Sequence, residues 1–593
     1  ISVKLVEIPI ITGVTPMLLY VDYLSLLPAL LTSLLGTLAL IYNIYYMSPL
    51  NKAYEFSWKF NRSYSFILLF IGAMVGVMFA GDLLSLLIFL ELISICSYAL
   101  ISFRQKERAS LNAAMKCIVI THVGSLALLI GSIVIYSLSG TLSILEIGQR
   151  VPTEHALMPV VFVLLLIAAL PKSVQFPLHT WLPDGTLAPT SATVLFHVCG
   201  FQSGIYLIIR FFYHVLHSSV ISTAAFTLPS FFGSIGAFGF IISLIGATTL
   251  VVGALNGLVE TDLKRIIAYS TISGLGYVVI AVGLATPLAV AAGLFLMVAH
   301  ALCFGLMFFV AGAVIYSTGK HDINEMGGLY RSMPFTSIFC ALGCLALAAF
   351  PLLADFVGKY LLFQAALNSG SIFFLMVSFA GCILNAAVAM RLLHSVFMGK
   401  KETTGDVEKD PRSLMLLPMF LLSGILIIFG VHPTLPLSIL VLPAVKQLGY
   451  YGELNDYLNP ILTSGLYEST TVALFMIGLS FIAITLIVYS IRIRTAKAGV
   501  YEETPQPFLS GESMSFHNPV HGFHLYSALY NVLRIDSICR LSNVDRIYYR
   551  MSNEFSTICS LLLKYDIKQQ HLPSILYFIG GALALVLLAL LGV

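Results

Sequence analysis

Residues 166–184 have the sequence LIAALPKSVQFPLHTWLPD, in which three prolines interrupt an apolar segment that contains a lysine, Lys172. A charged ammonium at membrane depth costs several kcal/mol unless a partner, water or a protein cavity compensates it, so Lys172 is a functional candidate. A second charge, Glu91, lies in the apolar run SLLIFLELISICSYAL at residues 85–100 and is the obvious counter-ion. Opposite charges within about 4–6 Å favour the charged forms, whereas desolvation favours the neutral forms. A proton shared between such groups responds to small changes nearby, which is the chemistry of a proton relay.

The composition is that of a membrane protein with many spans. Of the 593 residues, 58% are apolar and 10% are charged, and the mean hydropathy is +0.95. Soluble domains carry about 25% charged residues. A helix crosses a bilayer with about 20 mostly apolar residues, and we place about fourteen such segments, which predicts an all-α polytopic fold. The segments are 20–44, 63–80, 83–103, 116–138, 157–176, 189–213, 229–255, 263–284, 288–317, 335–368, 373–398, 413–431, 470–492 and 574–592.

The basic residues distinguish the two sides of the membrane. If the segments cross alternately, the clusters of Lys and Arg fall in loops on one side, which the positive-inside rule assigns to the cytoplasm. The opposite loops, such as HVLHSSVISTAAFTL at 214–228, are nearly free of Lys and Arg. We therefore expect a multi-pass membrane protein whose basic loops face the cytoplasm. The net charge of +3 gives no indication of nucleic-acid binding, because most of the basic residues lie in loops.

Two segments have the pattern of broken helices. Segment 157–188 carries prolines around Lys172, and segment 335–368 carries Pro351 and Gly358 around Lys359. Proline removes a backbone donor, and membrane proteins tolerate this only where protein or a water-filled cavity satisfies the freed groups. Interrupted helices at corresponding places in two halves are typical of transporter repeats. We therefore predict two inverted five-helix repeats, each with one broken helix and one buried lysine.

The predicted organisation has six parts. The repeats occupy the middle of the chain, and further membrane helices follow them. The parts are 1–62, an N-terminal segment with the first helix; 63–213, repeat 1; 229–398, repeat 2; 413–492, additional transmembrane helices; 498–572, a cytoplasmic-side loop with a lateral helix; and 573–593, the final transmembrane helix.

The lateral helix is predicted from residues 531–569, which contain no Pro or Gly and have apolar residues three or four apart. Charged residues occupy its other faces, so it cannot be a span and is expected to lie along the cytoplasmic membrane surface. At about 1.5 Å per residue it would extend close to 60 Å. Two interpretations stay open: an anchor lying on the surface, or a strut that contacts neighbouring subunits.

Four further residues in apolar surroundings are candidates for a proton path. Lys359 could carry protons or could extend its ammonium to the membrane surface. Lys264, in VETDLKRIIAYSTISGLGY, could carry protons or could only fix the topology as a cytoplasmic charge. His300 and His197 could pass protons, since imidazole titrates near neutral pH, or could be packed, hydrogen-bonded residues.

The sequence offers no metal or cofactor site. The nine cysteines are scattered without a CxxC pair, and Cys340 and Cys344, four residues apart, are interpreted as apolar packing. No glycine-rich loop precedes a helix as phosphate binding needs. We therefore expect no cofactor in this chain and no redox chemistry by the chain alone.

Several sequence phrases resemble one family of membrane subunits, and they occur in the order of that family. The resemblance covers roughly residues 20–430 and identifies the chain as similar to the antiporter-like subunits of respiratory complex I, Mrp-type cation/proton antiporters and membrane-bound group 4 hydrogenases. PQPFLSGE at 505–512 and the C-terminal pattern resemble the hydrogenase and sulfane-reductase branch. The phrases are FLELISICSYALISF, PKSVQFPLHTWLPDGTLAPT, GIYLIIRFF, ETDLKRIIAYSTISGLGY, HALCFGLMFFVAGAVIY, TGKHDINEMGGLYRSMP and DFVGKYLLFQAAL.

The resemblance implies roles for four residues. Glu91 matches a glutamate on the family's fifth helix, and Lys172 matches the lysine on the seventh helix that pairs with it. His300 matches a histidine on the eleventh helix that continues the path. Lys359 matches the twelfth-helix position that leads outward.

Three departures from the family pattern concern the middle of the path and the N-terminus. Gln202 stands where many members have a lysine; it can hydrogen-bond water but cannot titrate. Phe304 stands in the place of another lysine and can do neither. Segment 20–44 resembles the family's third helix, so the chain is expected to lack the first two.

The leading hypothesis, which the resemblance implies, is a proton- or sodium/proton-translocating subunit in the membrane arm of a redox-driven, complex-I-related complex of the ferredoxin-linked hydrogenase or sulfur-reductase type. Its expected location is the plasma membrane of a prokaryote. Its expected partners are other antiporter-like and small membrane subunits, together with peripheral redox subunits that carry iron–sulfur clusters and a metal active site. The path would use Glu91, Lys172, Gln202, His300 and Lys359. Two alternatives stay open: a subunit of an Mrp-type Na⁺/H⁺ antiporter that works without redox partners, and a scaffold subunit with an interrupted path.

Overall fold

The computed structural model describes residues 3–8, 17–48, 50–53, 60–151, 155–216, 230–233, 235–398, 409–448 and 544–545. This part of the chain is almost entirely helical. In chain order the α-helices are α1 (Tyr23–Tyr46), α2 (Phe60–Phe79), α3 (Leu83–Ile101), α4 (Arg108–Ser139), α5 (Ile144–Arg150), α6 (Met158–Ala169), α7 (Trp181–Gly185), α8 (Thr190–Val194), α9 (Phe201–Arg210), α10 (Ala237–Val259), α11 (Leu263–Gly283), α12 (Pro287–Thr318), α13 (Pro334–Leu347), α14 (Ala354–Asn368), α15 (Ile372–Leu393), α16 (Ser413–Val431), α17 (Thr434–Pro436) and α18 (Leu442–Gln447).

Short stretches of other helix types extend or connect these helices. A π-helical stretch joins α8 to α9, a second continues α9, and others follow α15 and α17. The π-helical stretches are Leu195–Gly200, Phe211–Val215, His394–Met398 and Leu437–Val441, and the 3₁₀ turns are Ser230–Phe232, Ile323–Glu325 and Leu329–Arg331.

The described residues contain ten helices that are long and apolar enough to cross a membrane, counted with their π-helical continuations. They coincide with ten of the segments predicted from the sequence, which confirms the helical, multi-pass fold. Segments 157–176 and 335–368 are interrupted, and segments 470–492 and 574–592 lie outside the described residues. The predicted lateral helix at 531–569 also lies outside them, except for Val544 and Asp545.

One element departs from the predicted all-α class. Strands β1 (Val3–Ile8) and β2 (Met17–Val21) pair as an antiparallel two-stranded sheet. The strand sequences VKLVEI and MLLYV are rich in β-branched and aromatic residues, which favour strands. β2 adjoins the turn between α2 and α3, where the Leu18 amide donates to the Asp82 carboxylate at 3.0 Å.

Polar caps fix where several helices begin. The Asp22 carboxylate accepts from the Ser25 amide at 2.8 Å at the start of α1, and the Asp262 carboxylate accepts from the Arg265 amide at 3.0 Å at the start of α11. The Thr286 hydroxyl accepts from the Ala289 amide at the start of α12. Such caps satisfy donors that the first turn leaves open and contribute about 1 kcal/mol each.

Both predicted interruptions are present. α6 ends at Ala169, two residues before Pro171, and α13 ends at Leu347, ahead of Pro351. Non-glycine residues adopt left-handed backbone conformations in both breaks, including Val174 with φ of 56° and Leu352 with φ of 74°. Such conformations cost about 1–3 kcal/mol each and persist only where the surroundings impose them. Each break is therefore a defined feature of the fold.

Helix α12 lies at the centre of the described protein. Its apolar span is completely buried, and it packs against α11, α14 and α16. A helix that is hydrophobic on all sides is typical of a protein interior. A polar residue on α12, such as His300, is therefore enclosed by protein.

The first break is held against α9 by a close backbone contact. A Cβ atom added to Gly204 would overlap the backbone nitrogen of Ser173 and the carbonyl carbon of Lys172. Only glycine leaves room for this approach. The contact fixes the peptide unit that follows Lys172.

Candidate functional site

Lys172 lies in the first break, and its ammonium is held by α3. Nζ donates to the Leu90 carbonyl oxygen at 3.0 Å and to the Ser94 hydroxyl at 2.7 Å. Trp181 braces the break by donating from Nε1 to the Pro171 carbonyl at 3.1 Å. Only 4% of Lys172 is exposed. The buried amine therefore has two oxygen acceptors on one turn of a neighbouring helix.

Glu91 does not reach Lys172 directly. Within the described residues the two side chains form no ion pair; the Glu91 carboxylate instead lies 3.0 Å from Nδ1 of His122 on α4. Leu90 and Ser94 are four residues apart and share the face that meets Lys172, whereas Glu91 lies about 60–100° further around the helix. The side chains of Glu91 and His122 are 26% and 54% exposed, so this pair lies at the edge of the described protein. His122 was not predicted from the sequence, although its position in an apolar segment could have signalled it.

Lys264 is buried, with 1% of its surface exposed, although it lies in the first turn of α11. Nζ donates to the carbonyl oxygens of Ala188 at 3.2 Å and Thr186 at 3.5 Å. These carbonyls lie between α7 and α8, in the segment that follows the first break. Lys264 is therefore not a charge exposed on the surface of the described protein.

Charged side chains surround this same end of α11. Asp184, on α7, has its carboxylate 2.8 Å from Nζ of Lys116 on α4 and 3.4 Å from the Arg265 guanidinium. Arg265 also pairs with Glu260 at 2.9 Å. Lys116 contacts Asp545 of the C-terminal region at 2.8 Å. The network joins α4, α7, α11 and Asp545.

His197 and Gln202 occupy the helix that follows the first break. Within the described part of the chain, neither ring nitrogen of His197 has a hydrogen-bond partner, and the ring packs on Phe308 at a centroid distance of 4.5 Å. Gln202 donates from Nε2 to the Val198 carbonyl at 3.0 Å and accepts from the Thr32 hydroxyl at 3.4 Å. Both polar atoms of Gln202 are thus bound by the protein itself.

His300 lies on α12 between two aromatic rings. Its ring centroid is 4.8 Å from that of Phe201 and 4.2 Å from that of Phe304. Phe304 therefore adds apolar packing in the position where the family pattern would place a lysine. The His300 imidazole reaches a small cavity that also adjoins Lys359.

Lys359 lies one turn into α14, after the second break. Its Nζ is 2.6 Å from the Asp355 carboxylate, donates to the Leu347 carbonyl at 3.1 Å and lies 5.2 Å from the centre of the Tyr277 ring. Lys359 is 3% exposed, so its ammonium does not extend to the membrane surface. Asp355 was not predicted, although an acid four residues before a lysine in ADFVGK is a recognisable helical pair.

The structure thus separates the candidates into three groups. Glu91 lies on α3, and Lys172 contacts that helix. Lys264 and His197 lie near the segment that follows the first break. His300 and Lys359 line the same cavity. Among the described residues, no cluster of three His, Cys, Asp or Glu side chains could hold a metal ion. The arrangement offers buried amines and imidazoles, which are groups that bind and release protons.

The fold and these groups define a multi-pass membrane subunit of the antiporter type. A sequence model described as "NADH:quinone oxidoreductase/Mrp antiporter, TM" matches residues 80–384. The chain therefore belongs to this family, which confirms the family predicted from its sequence.

Curated relatives come from bacterial antiporters. The chain is 30% identical over 524 residues to a Na(+)/H(+) antiporter subunit of Alkalihalophilus pseudofirmus, covering 82% of this chain and 61% of that protein. It is 32% identical over 396 residues to a probable K(+)/H(+) antiporter subunit of Rhizobium meliloti, covering 65% of this chain and 37% of that protein. The chain thus spans about 37–61% of the length of these relatives.

Two solved complexes contain chains of the same fold. A chain of the membrane-bound sulfane sulfur reductase, an archaeal respiratory membrane complex, matches with a TM-score of 0.75 and 22% identity, covering 100% of this chain and 92% of its own length. A chain of the Mrp complex from Dietzia sp. DQ12-45-1b matches with a TM-score of 0.66 and 21% identity, covering 78% and 89%. Both belong to multi-subunit membrane complexes.

Proposed function

We propose that this chain is a proton- or sodium/proton-translocating subunit in the membrane arm of a redox-driven, complex-I-related complex. The observation that carries the proposal is the set of buried amines, Lys172, Lys264 and Lys359, each enclosed among the described helices and held by backbone carbonyls. A charge in that position is costly, and ion pathways are where membrane proteins keep such charges. The full-length match in fold to a chain of an archaeal respiratory complex supports the redox-driven form.

The proposed path begins at the end of α11 that carries the charged network, which we assign to the cytoplasmic side. Protons enter near Lys264 and His197 and wait on Lys172. Water then carries them past Gln202 to His300, and they leave through Lys359. Glu91 acts on Lys172 through the field of its carboxylate and not through direct contact, because its carboxylate contacts His122 instead.

The two predicted repeats, 63–213 and 229–398, are part of this proposal. Each has an interrupted helix, left-handed residues in the break, and a buried lysine that donates to a backbone carbonyl. The remaining parts are also proposed as predicted from the sequence: helices at 413–492, a lateral helix within 498–572 and a final span at 573–593. The contact of Asp545 with Lys116 supports a cytoplasmic position for the lateral helix.

The test is proton pumping by the complete complex in inverted membrane vesicles, with electron transfer measured in parallel. Lys172→Ala should abolish pumping while electron transfer stays measurable. Lys320→Ala, which removes an exposed lysine that donates to the Glu325 carbonyl, is the matched control and should pump normally. Pumping retained by Lys172→Ala would remove this residue from the mechanism.

A second candidate is a subunit of an Mrp-type Na⁺/H⁺ antiporter without redox partners, which the sequence match to antiporter subunits favours. Co-purification separates the two. Iron–sulfur and catalytic subunits in the same particle would exclude the second candidate, and their absence from an active particle would exclude the first.

A third candidate is a scaffold that only bridges neighbouring subunits. It is favoured by Gln202, whose amide is occupied by protein groups, and by Phe304, which is apolar. Full pumping by the complex after both Lys172 and Lys359 are replaced by methionine would establish this candidate. Loss of pumping in the Lys359→Met variant, with assembly intact, would exclude it.

A further inference from the structure

A small cavity lies between α11, α12, α14 and α15. Its volume is about 10 Å³, close to the smallest space that holds one water molecule. His300, Asp355, Lys359 and Asn385 are among the residues that line it. Asn385, on α15, was not among the residues predicted from the sequence.

Two polar groups at this cavity form no ordinary hydrogen bond with the protein. Within the described residues, His300 Nε2 and both amide atoms of Asn385 have no hydrogen-bond partner, although the Tyr277 hydroxyl lies close enough to the Asn385 amide to interact with it electrostatically, and both residues are buried. Leaving a buried donor or acceptor unsatisfied costs about 1–3 kcal/mol, so native proteins satisfy nearly all of them. A buried water with two to four polar neighbours is the usual solution.

Lys359 supplies a third group. A lysine ammonium has three donors. Two of them are accounted for by the Asp355 carboxylate at 2.6 Å and the Leu347 carbonyl at 3.1 Å. The third has no acceptor among the residues that the structure describes.

We propose that Asn385 is a positioning residue that, with His300, holds one water molecule beside Lys359. The water accepts hydrogen bonds from the third Lys359 donor and from the Asn385 amide nitrogen, and it donates to Nε2 of a neutral His300. It thereby links the imidazole on α12 to the ammonium on α14. Asn385 has no charge and carries no proton itself; its role is to keep the water between two groups that do.

Only the expected effect on transport rests on the proposed function. The water itself can be observed in a complex that is not turning over. The direct experiment is a map of the complete complex at about 2 Å resolution by electron cryo-microscopy. We expect water density about 3 Å from His300 Nε2 and from the Asn385 amide. An empty cavity in the wild-type map would overturn the inference, as would a density whose oxygen neighbours lie at about 2.4 Å, the distance of a bound metal cation.

Variants test the role of the side chain. Asn385→Leu replaces the amide with an apolar group of similar size and should remove the water. The rate of proton pumping should fall about fivefold, the factor for one lost hydrogen bond of ordinary strength. Asn385→Ser keeps a hydroxyl that can hold the water, and it should retain both the density and most of the pumping.

Ser378→Ala is the matched control. Ser378 lies on the same helix, is buried, and has a hydroxyl without a partner in the described residues, but it does not line the cavity. This variant should leave the water and the pumping rate unchanged. Normal pumping in Asn385→Leu, or an equal loss in Ser378→Ala, would overturn the positioning role. If pumping by the wild type does not depend on Lys359, the proposed function fails. The water density would still decide whether the inference holds.

Discussion

Replacing Ser94 with alanine should impair the proposed ion step at Lys172. The Ser94 hydroxyl accepts from Nζ of Lys172 at 2.7 Å and donates to the Leu90 carbonyl at 3.0 Å. In the alanine variant, the Leu90 carbonyl is the one acceptor left to the Lys172 ammonium among the described residues. The substitution removes one atom and makes no clash.

The expected size follows from the kind of bond that is lost. A hydrogen bond to a charged group contributes about 1.5–3 kcal/mol, and about 1.4 kcal/mol corresponds to a factor of ten. The pumping rate of Ser94→Ala should therefore fall about ten- to one-hundredfold, with electron transfer retained. Proton uptake and electron transfer are measured together in inverted vesicles that contain the complete complex.

Ser97→Ala is the matched control on the same helix. Ser97 is also buried, and its hydroxyl donates to the carbonyl four residues earlier, that of Ile93, at 2.8 Å, but it does not contact Lys172. This variant should pump within about twofold of the wild type, since it loses only one neutral hydrogen bond remote from the site. Equal rates for Ser94→Ala and Ser97→Ala would refute the reasoning, because the contact with the ammonium would then have no effect.

Two further substitutions test the fold around the site. Arg210→Leu should lower the free energy of unfolding by about 3–5 kcal/mol, because it leaves Asp22 buried without the guanidinium that contacts both of its oxygens at 2.7 and 2.8 Å. Glu146→Gln breaks an exposed pair and should cost less than about 0.5 kcal/mol; similar denaturation midpoints for the two variants would contradict this expectation. Gly204→Ala should lower the yield of assembled complex because the added methyl group overlaps the backbone after Lys172, whereas Gly72→Ala meets no atom within 4 Å and should assemble normally. Normal assembly and stability of Gly204→Ala would show that this backbone contact can relax.

The sequence was sufficient for the membrane helices and for the buried charges. Ten of the predicted segments coincide with helices because a run of apolar residues long enough to cross a bilayer has few other solutions. Lys172 and Lys359 stood out because a charge among apolar residues is rare and costly. Lys172 lies in the first break and Lys359 lies one turn after the second, close to the prolines that indicated the interruptions.

The contacts of those charges could not be predicted. Which face of α3 meets the first break depends on packing, and this decides that Ser94 and not Glu91 receives the Lys172 ammonium. Asn385 gave no signal because an uncharged amide in an apolar helix is common, and only the cavity shows its relation to Lys359. The N-terminal sheet was not predicted because its strands, of six and five residues, are too short to show a clear alternation of apolar and polar positions.

The close approach of α9 to the first break limits how an ion could be moved there. A Cβ atom at Gly204 would overlap the peptide unit after Lys172, so the two backbones are in direct contact with no side chain between them. Tilting one against the other, as in carriers that expose a binding site alternately to each side, would have to separate them. What can still change there is the rotamer of the four-carbon side chain, whose end is hydrogen-bonded to α3. Changes of rotamer are far faster than collective helix motions, so an ion step that moves only this side chain would not require the backbone contact to open.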